Sequence, residues 1–177
     1  MVSKVYFMPA LTSAAVMART LFRLSRTDTA LPVVLCVGSD RLTGDCLGPL
    51  VGKHLTDELA VHTFVYGTLD APVTALNLSA TAAFIRTMHP DAKLWVVDAA
   101  LGRAADVGRI RVHRGALQPG EAMGKRLPAV GDVAITAIVG AADNPASLAA
   151  ARLQTVYTLA QFIAGAITHA CALREAT

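Results

Sequence analysis

Apolar and polar positions fall in alternating blocks along the chain. Residues 33–38 (VVLCVG) form a short apolar run entered from Pro32, the pattern of a buried strand. Residues 48–60 follow as a helix, with Pro49 in its first turn, where no N–H is needed. Residues 61–66 (VHTFVY) predict a second strand, 72–88 a helix again opened by a proline, Pro72, and 93–98 (KLWVVD) a third strand. Residues 108–113 (GRIRVH) alternate apolar and polar, as an edge strand does. Residues 133–139 (VAITAIV) predict a further buried strand, and Asn144-Pro145 opens a long C-terminal helix over 145–173. Residues 1–30 read as an N-terminal helical segment.

Continuous apolar strands separated by helices need cover on both faces, so they predict a mainly parallel sheet. The strand at 108–113 lies too near its predecessor for a helical crossover and is expected to run antiparallel at one side. The expected fold is α/β, a three-layer α/β/α sandwich with a mostly parallel mixed sheet, in a single domain over 1–177. In such sheets ligands sit beyond the carboxyl ends of the parallel strands.

Two segments imitate membrane signals. Residues 5–18 (VYFMPALTSAAVMA) follow Lys4 like a signal peptide, but Pro9 interrupts the run and Arg19, Arg23 and Arg26 follow it. A helix is expected there instead. Residues 153–173 carry no formal charge and are long enough to cross a bilayer. Gln154, Thr158, Gln161, Gly165 and Thr168 fall on one helical face, with Leu153, Val156, Tyr157, Ala160, Ile163 and Ile167 on the other. That is the pattern of an amphipathic helix packed on a sheet, and no membrane partner is expected.

Composition narrows the function classes. Hydrophobic residues make up 54% and charged residues 16%, which excludes an intrinsically disordered chain. The cysteines Cys36, Cys46 and Cys171 cannot form a disulfide framework, and no CxxC or paired-histidine spacing marks a zinc site, so a cytoplasmic protein is expected. Positive residues cluster at Arg103, Arg109, Arg111, Arg114, Lys125 and Arg126. This suits an acidic partner, but no basic run is sustained, and a solvated rim accounts for it more simply. Aromatic residues are only 5%, so no nucleic-acid partner built on base stacking is expected. The apolar bias leaves room for a homodimer face.

The expected strand ends gather polar residues. The loop after the first strand runs Gly38-Ser39-Asp40-Arg41-Leu42-Thr43-Gly44-Asp45-Cys46, the loop after the second holds Asp70, and the third strand ends in Asp98. Asp132 stands before the 133–139 strand and shares that rim only if the strand runs antiparallel. Each has an ordinary structural reading. Asp40 suits a turn, while Asp45 and Asp70 suit helix caps. Asp98 is harder to dismiss, because it follows the apolar run Leu94–Val97, where an unpaired carboxylate is costly. Crowded carboxylates need a cation, hydrogen-bond donors or a shared proton. Cys46 offers a thiol nucleophile, although a small buried cysteine is the simpler reading. His54, on the first predicted helix, is expected to face solvent. Gly52-Lys53 is followed by His54, so it is not a phosphate-binding loop.

Three separated runs, CVGSDRLTGDCLGPLVG (Cys36–Gly52), VYGTLDAPVTALNL (Val65–Leu78) and GDVAITAIVG (Gly131–Gly140), resemble the sporulation proteins of the YyaC type. A more distant similarity links the pattern to the spore germination protease and the hydrogenase-maturation endopeptidase. The resemblance implies a phosphorylase/hydrolase-like form of the fold, a spore-forming cell and peptidase chemistry. Asp45, before Leu47-Gly48, matches an acidic position common to both protease families, and Asp98-Ala99 matches a strand-ending Asp-Ala. In the germination protease these positions are the catalytic aspartate pair. In the hydrogenase endopeptidase they bind the substrate's nickel together with a histidine. That histidine would fall near Gly131, where this chain has none, so the two-aspartate version fits better.

The function expected is therefore peptide hydrolysis, with Asp45 and Asp98 sharing a proton to activate water. Gly38 and Gly44 would bring backbone N–H groups to the substrate, and Asp40, Arg41, Asp70 and Asp132 would complete its binding site. The partner is a peptide or protein substrate. Two alternatives stand beside this reading. One is a binding protein for a peptide or small ligand without turnover. The other is metal-assisted hydrolysis with a divalent cation on Asp45 and Asp98, helped by Asp40; the two-aspartate mechanism itself needs no cofactor.

Overall fold

A computed structural model describes residues 4–25, 30–119 and 127–176. The chain order is β1 (Val5–Phe7), α1 (Leu11–Leu24), β2 (Val33–Cys36), α2 (Leu47–Lys53), β3 (Val65–Tyr66), α3 (Leu78–Met88), β4 (Leu94–Gly102), β5 (Ile110–Arg114), β6 (Val133–Ala141) and α4 (Leu153–Glu175). A π-helical turn, His54–Glu58, extends α2. The strands form one six-stranded sheet in the order β1-β5-β6-β4-β2-β3. Pairings from β6 through β4 and β2 to β3 are parallel, while β5 runs antiparallel to both β6 and β1. The fold is α/β with a mixed sheet, as its alternating apolar runs require.

Successive residues of the central strands feed opposite apolar clusters, which is the two-residue period of a strand. Val34, Cys36, Trp95, Val97, Val133 and Ile135 pack with α1, α2 and α4. Val33, Leu35, Leu94, Val96 and Ala134 pack with Leu78, Ala82 and Ile85 of α3. α4 is long and apolar enough to cross a membrane. In this fold it is a core helix, with Val156, Ala160, Ile163 and Ile167 buried as the sequence pattern requires. Leu153 and Tyr157, predicted on the same face, are exposed at its start.

Several boundaries differ from the sequence expectation. Val5–Phe7 pairs with β5 instead of entering the first helix, so β5 is not an edge strand. Its alternation reflects one buried side, Ile110 and Val112, and one partly exposed side, Arg111 and His113. The segment after Pro72 becomes helical only at Leu78. Asn77 holds the preceding turn, accepting from the Thr74 N–H at 2.7 Å and donating to the Pro72 carbonyl at 3.1 Å. Pro145 opens only a short 3₁₀ turn capped by Asn144, and α4 begins at Leu153.

The largest difference concerns Asp98. It does not end its strand: β4 continues to Gly102, because β6 runs beside it from Trp95↔Val133 to Gly102↔Ala141. β2, by contrast, stops at Cys36, opposite Val97. Asp98 therefore lies where one neighbouring strand has ended and the other goes on. The hollow described next lies at that staggered edge.

Candidate active site

The first loop leaves β2 through Val37, which bridges to Val73, and turns at Gly38. Gly38 has φ +140°, and a β-carbon there would lie 2.0 Å from the Asp45 carbonyl oxygen, so only glycine fits. The loop folds back on itself at this point. Ser39 donates its backbone N–H to the Asp45 carbonyl at 3.2 Å and its hydroxyl to Asp45 Oδ2 at 2.9 Å. Asp45 is half-buried and held from one side. Asp98 is only 5% exposed, and the Ala99 N–H donates to its Oδ1 at 2.9 Å.

Asp45 and Asp98 line one cavity of about 470 Å³. The first loop contributes Gly38, Asp40 and Arg41 to its wall as well. The turn before α3 lines it too, with Pro72, Thr74, Ala75 and Leu76, as does Leu127. Leu76 is 96% exposed at the mouth. Acidic groups and apolar side chains thus line the same hollow.

Other predicted site residues lie elsewhere. Asp132 is a correction: β6 is parallel to β4, so it sits at the opposite end of the sheet, where its Oδ2 accepts the Leu94 N–H at 2.9 Å. It pins the start of β4 and does not reach the cavity. Gly44 is buried against α4's approach segment, its N–H donating to the Leu148 carbonyl at 2.8 Å, and does not line the cavity. Asp70 is exposed and outside the cavity; the Lys53 ammonium is held charged chiefly by its hydrogen bond to Asp57, with Asp70 a lesser contributor.

His54 is also a correction, since it is buried, not solvent-facing. Its Nδ1 lies 2.8 Å from Glu58 Oε2, and its ring meets Tyr157 edge-on at 5.1 Å. Cys46 is half-buried before α2, and burial, then the carboxylates of Asp40 and Asp45, push its thiol above the ordinary value, which disfavours a thiolate nucleophile. Cys36 is fully buried with its thiol raised by desolvation, and burial pushes Cys171 up to about 12. In the basic cluster, Arg103 and Arg109 both pair with Asp106, at 2.6 and 3.2 Å, while Lys125 and Arg126 lie outside the described residues. Among the described residues no group of three or more His, Cys, Asp or Glu is placed to hold a metal ion, although Asp40, Asp45 and Asp98 share the cavity.

Sequence reasoning missed Ser39 as the partner of Asp45 and Pro72–Leu76 as a turn bordering the same cavity. The dipeptide Gly38-Ser39 after an apolar strand carried the first signal. Nothing local marked the second, which depends on the bridge between Val37 and Val73.

The family described as protein of unknown function, DUF1256, matches residues 10–166, and the chain belongs to it. The chain is similar to the uncharacterized protein YyaC of Bacillus subtilis (strain 168), 45% identical over 107 residues, which is 60% of this chain and 52% of that protein. It thus spans about half the length of the curated relative it matches. No solved structure matches it.

Proposed function

We propose that this DUF1256 protein is a peptide hydrolase of the cytoplasm of a spore-forming cell, acting through a pair of aspartates in a three-layer α/β/α, hydrolase-like fold. The observation that carries this reading is that Asp45 and Asp98, distant in sequence, line the same cavity. In the proposed reaction one carboxylate takes a proton from water as its oxygen attacks the scissile carbonyl carbon. The other, protonated, hydrogen-bonds the carbonyl oxygen and so favours the developing oxyanion. The C–N bond then breaks, and the amine leaves with the proton the first carboxyl had taken. Ser39 keeps Asp45 oriented, and the apolar wall formed by Pro72, Ala75 and Leu76 seats the side chain beside the cleaved bond.

The test is cleavage of a fluorogenic peptide library and of spore-protein extract by the wild type, Asp45→Asn and Asp98→Asn. Loss of turnover on the order of 10²-fold or more in each variant is expected for acid–base groups. Turnover that survives either change would remove the pair. Peptide binding with no turnover in the wild type would turn the reading into that of a binding protein.

A further inference from the structure

The hollow that Asp45 and Asp98 line adjoins another at Pro72. Pro72 also lines a second hollow of about 350 Å³ between β3 and α3, bounded by Tyr66, Thr68, Asn77 and Thr81. Beyond it the Tyr66 hydroxyl lies 2.9 Å from His89 Nε2, and Phe84 meets the Tyr66 ring edge-on with centroids 6.2 Å apart. Phe64 packs on the His89 ring at 4.4 Å and, with Met88, lines a third hollow of about 340 Å³.

The helix side of this track has a regular basis. Asn77, Thr81, Phe84 and Met88 recur at helical spacing, beside the stripe Leu78, Ala82 and Ile85 that α3 buries against the sheet. The strand side is β3, the sheet's edge. Phe64, Phe84 and Met88 are 62%, 53% and 57% exposed, a concentration of large apolar side chains left open on one side of the molecule. The track is polar beside the carboxylate cavity and apolar at its far end.

We propose that this groove holds an extended segment of the protein substrate and leads it into the carboxylate cavity. An aromatic or large aliphatic residue of that segment anchors on Phe64, Phe84 and Met88, while Thr68, Asn77 and Thr81 meet its backbone. The proposal rests on the peptidase reading and specifies its substrate. Eleven helical steps from Asn77 to Met88 span about 16 Å. An extended chain covers roughly 3.3 Å per residue, so the anchored residue stands about five positions from the one beside Asn77, and further from the one in the carboxylate cavity.

The experiment selects phage-displayed random dodecapeptides on the intact protein and measures the recovered peptides by fluorescence anisotropy. The recovered sequences are expected to carry a large apolar residue and to bind roughly tenfold or more weakly to a Phe84→Ser, Met88→Ser double variant. Both side chains are exposed, so the fold is expected to survive; Thr81→Arg, which obstructs the middle of the groove, is the second variant, expected to weaken binding likewise. Mass spectrometry of the same peptides is expected to find cleavage at a fixed distance of more than about five residues from the apolar one. Binding that depends on Phe84 and Met88, with no cleavage by the wild type, would uphold the groove and remove the peptidase reading. Absence of an apolar consensus, or binding and cleavage indifferent to both variants, would overturn the groove.

Discussion

Gly48 and Gly165 are both helical glycines, and exchanging each for alanine should move stability in opposite directions. Gly165 is exposed on α4, and a β-carbon there would meet nothing within 4 Å. Alanine at this position gains only the helix preference, about 0.5–1 kcal/mol. Gly48 sits in the first turn of α2, where a β-carbon would lie 2.1 Å from the Val37 carbonyl oxygen and 2.8 Å from its carbon. Ordinary contact begins near 3.4 Å, so α2 must move by more than an ångström from the backbone of the first loop. The obstacle is main chain, which cannot rotate aside as a flexible side chain can. Overpacking of this kind costs about 1–3 kcal/mol, more than the helix preference returns at a helix end. For a chain of this size each kcal/mol moves Tm by about 2–4 °C. Thermal unfolding followed by circular dichroism should therefore show Gly48→Ala lower by several degrees and Gly165→Ala higher by about 1–4 °C. Gly48→Ala should also impair any activity of the Asp45 site, because α2 begins just after Asp45. If Gly48→Ala matches or exceeds the wild type in Tm, close helix–strand packing does not set the position of that loop.

Cys46 should be the cysteine alkylated first in the native protein, since Cys36 and Cys171 are buried, and its rate at pH 8 should rise in Asp40→Asn and Asp45→Asn. Removing either negative charge favours the thiolate, and an unchanged iodoacetamide rate would contradict the closeness of these groups. Asp132→Ala should lower stability by about 1–3 kcal/mol in urea unfolding by leaving the Leu94 N–H unpaired, without lowering the turnover of the protein that remains folded. A selective loss of turnover would return Asp132 to the candidate site. His113 is held below its ordinary value of 6.5 by burial, then by the charges of Arg111 and Lys4. The unfolded chain therefore binds the extra proton more readily: this contribution is complete above pH 6.5 and is lost as pH falls through the folded value. His113→Gln should flatten that acid-side decline in urea unfolding, and parallel pH profiles for the two proteins would exclude His113 as its source.

The buried strands were legible in the sequence because an apolar run covered on both faces leaves few alternatives. The runs at 33–38, 93–98 and 133–139 each correspond to a strand of the parallel core. The long C-terminal helix was legible for the same reason, its stripe of Val156, Ala160, Ile163 and Ile167 being buried. Gly38, Asp40, Arg41, Asp45 and Asp98 could be nominated from strand-end logic and family likeness, and all five line one cavity. What local pattern could not supply was direction and length. Nothing within 133–139 says whether that strand runs with or against β4, yet this alone sends Asp132 to the far end of the sheet. Val5–Phe7 is too short to reveal itself, and it becomes a strand because β5 offers it a partner. β4 runs past Asp98 because β6 accompanies it, while β2 ends at Cys36, and the hollow that both carboxylates line lies where neighbouring strands stop at different heights. Sequence determined which segments must be buried. Pairing between distant strands decided where they end, and so which acidic residues line one cavity.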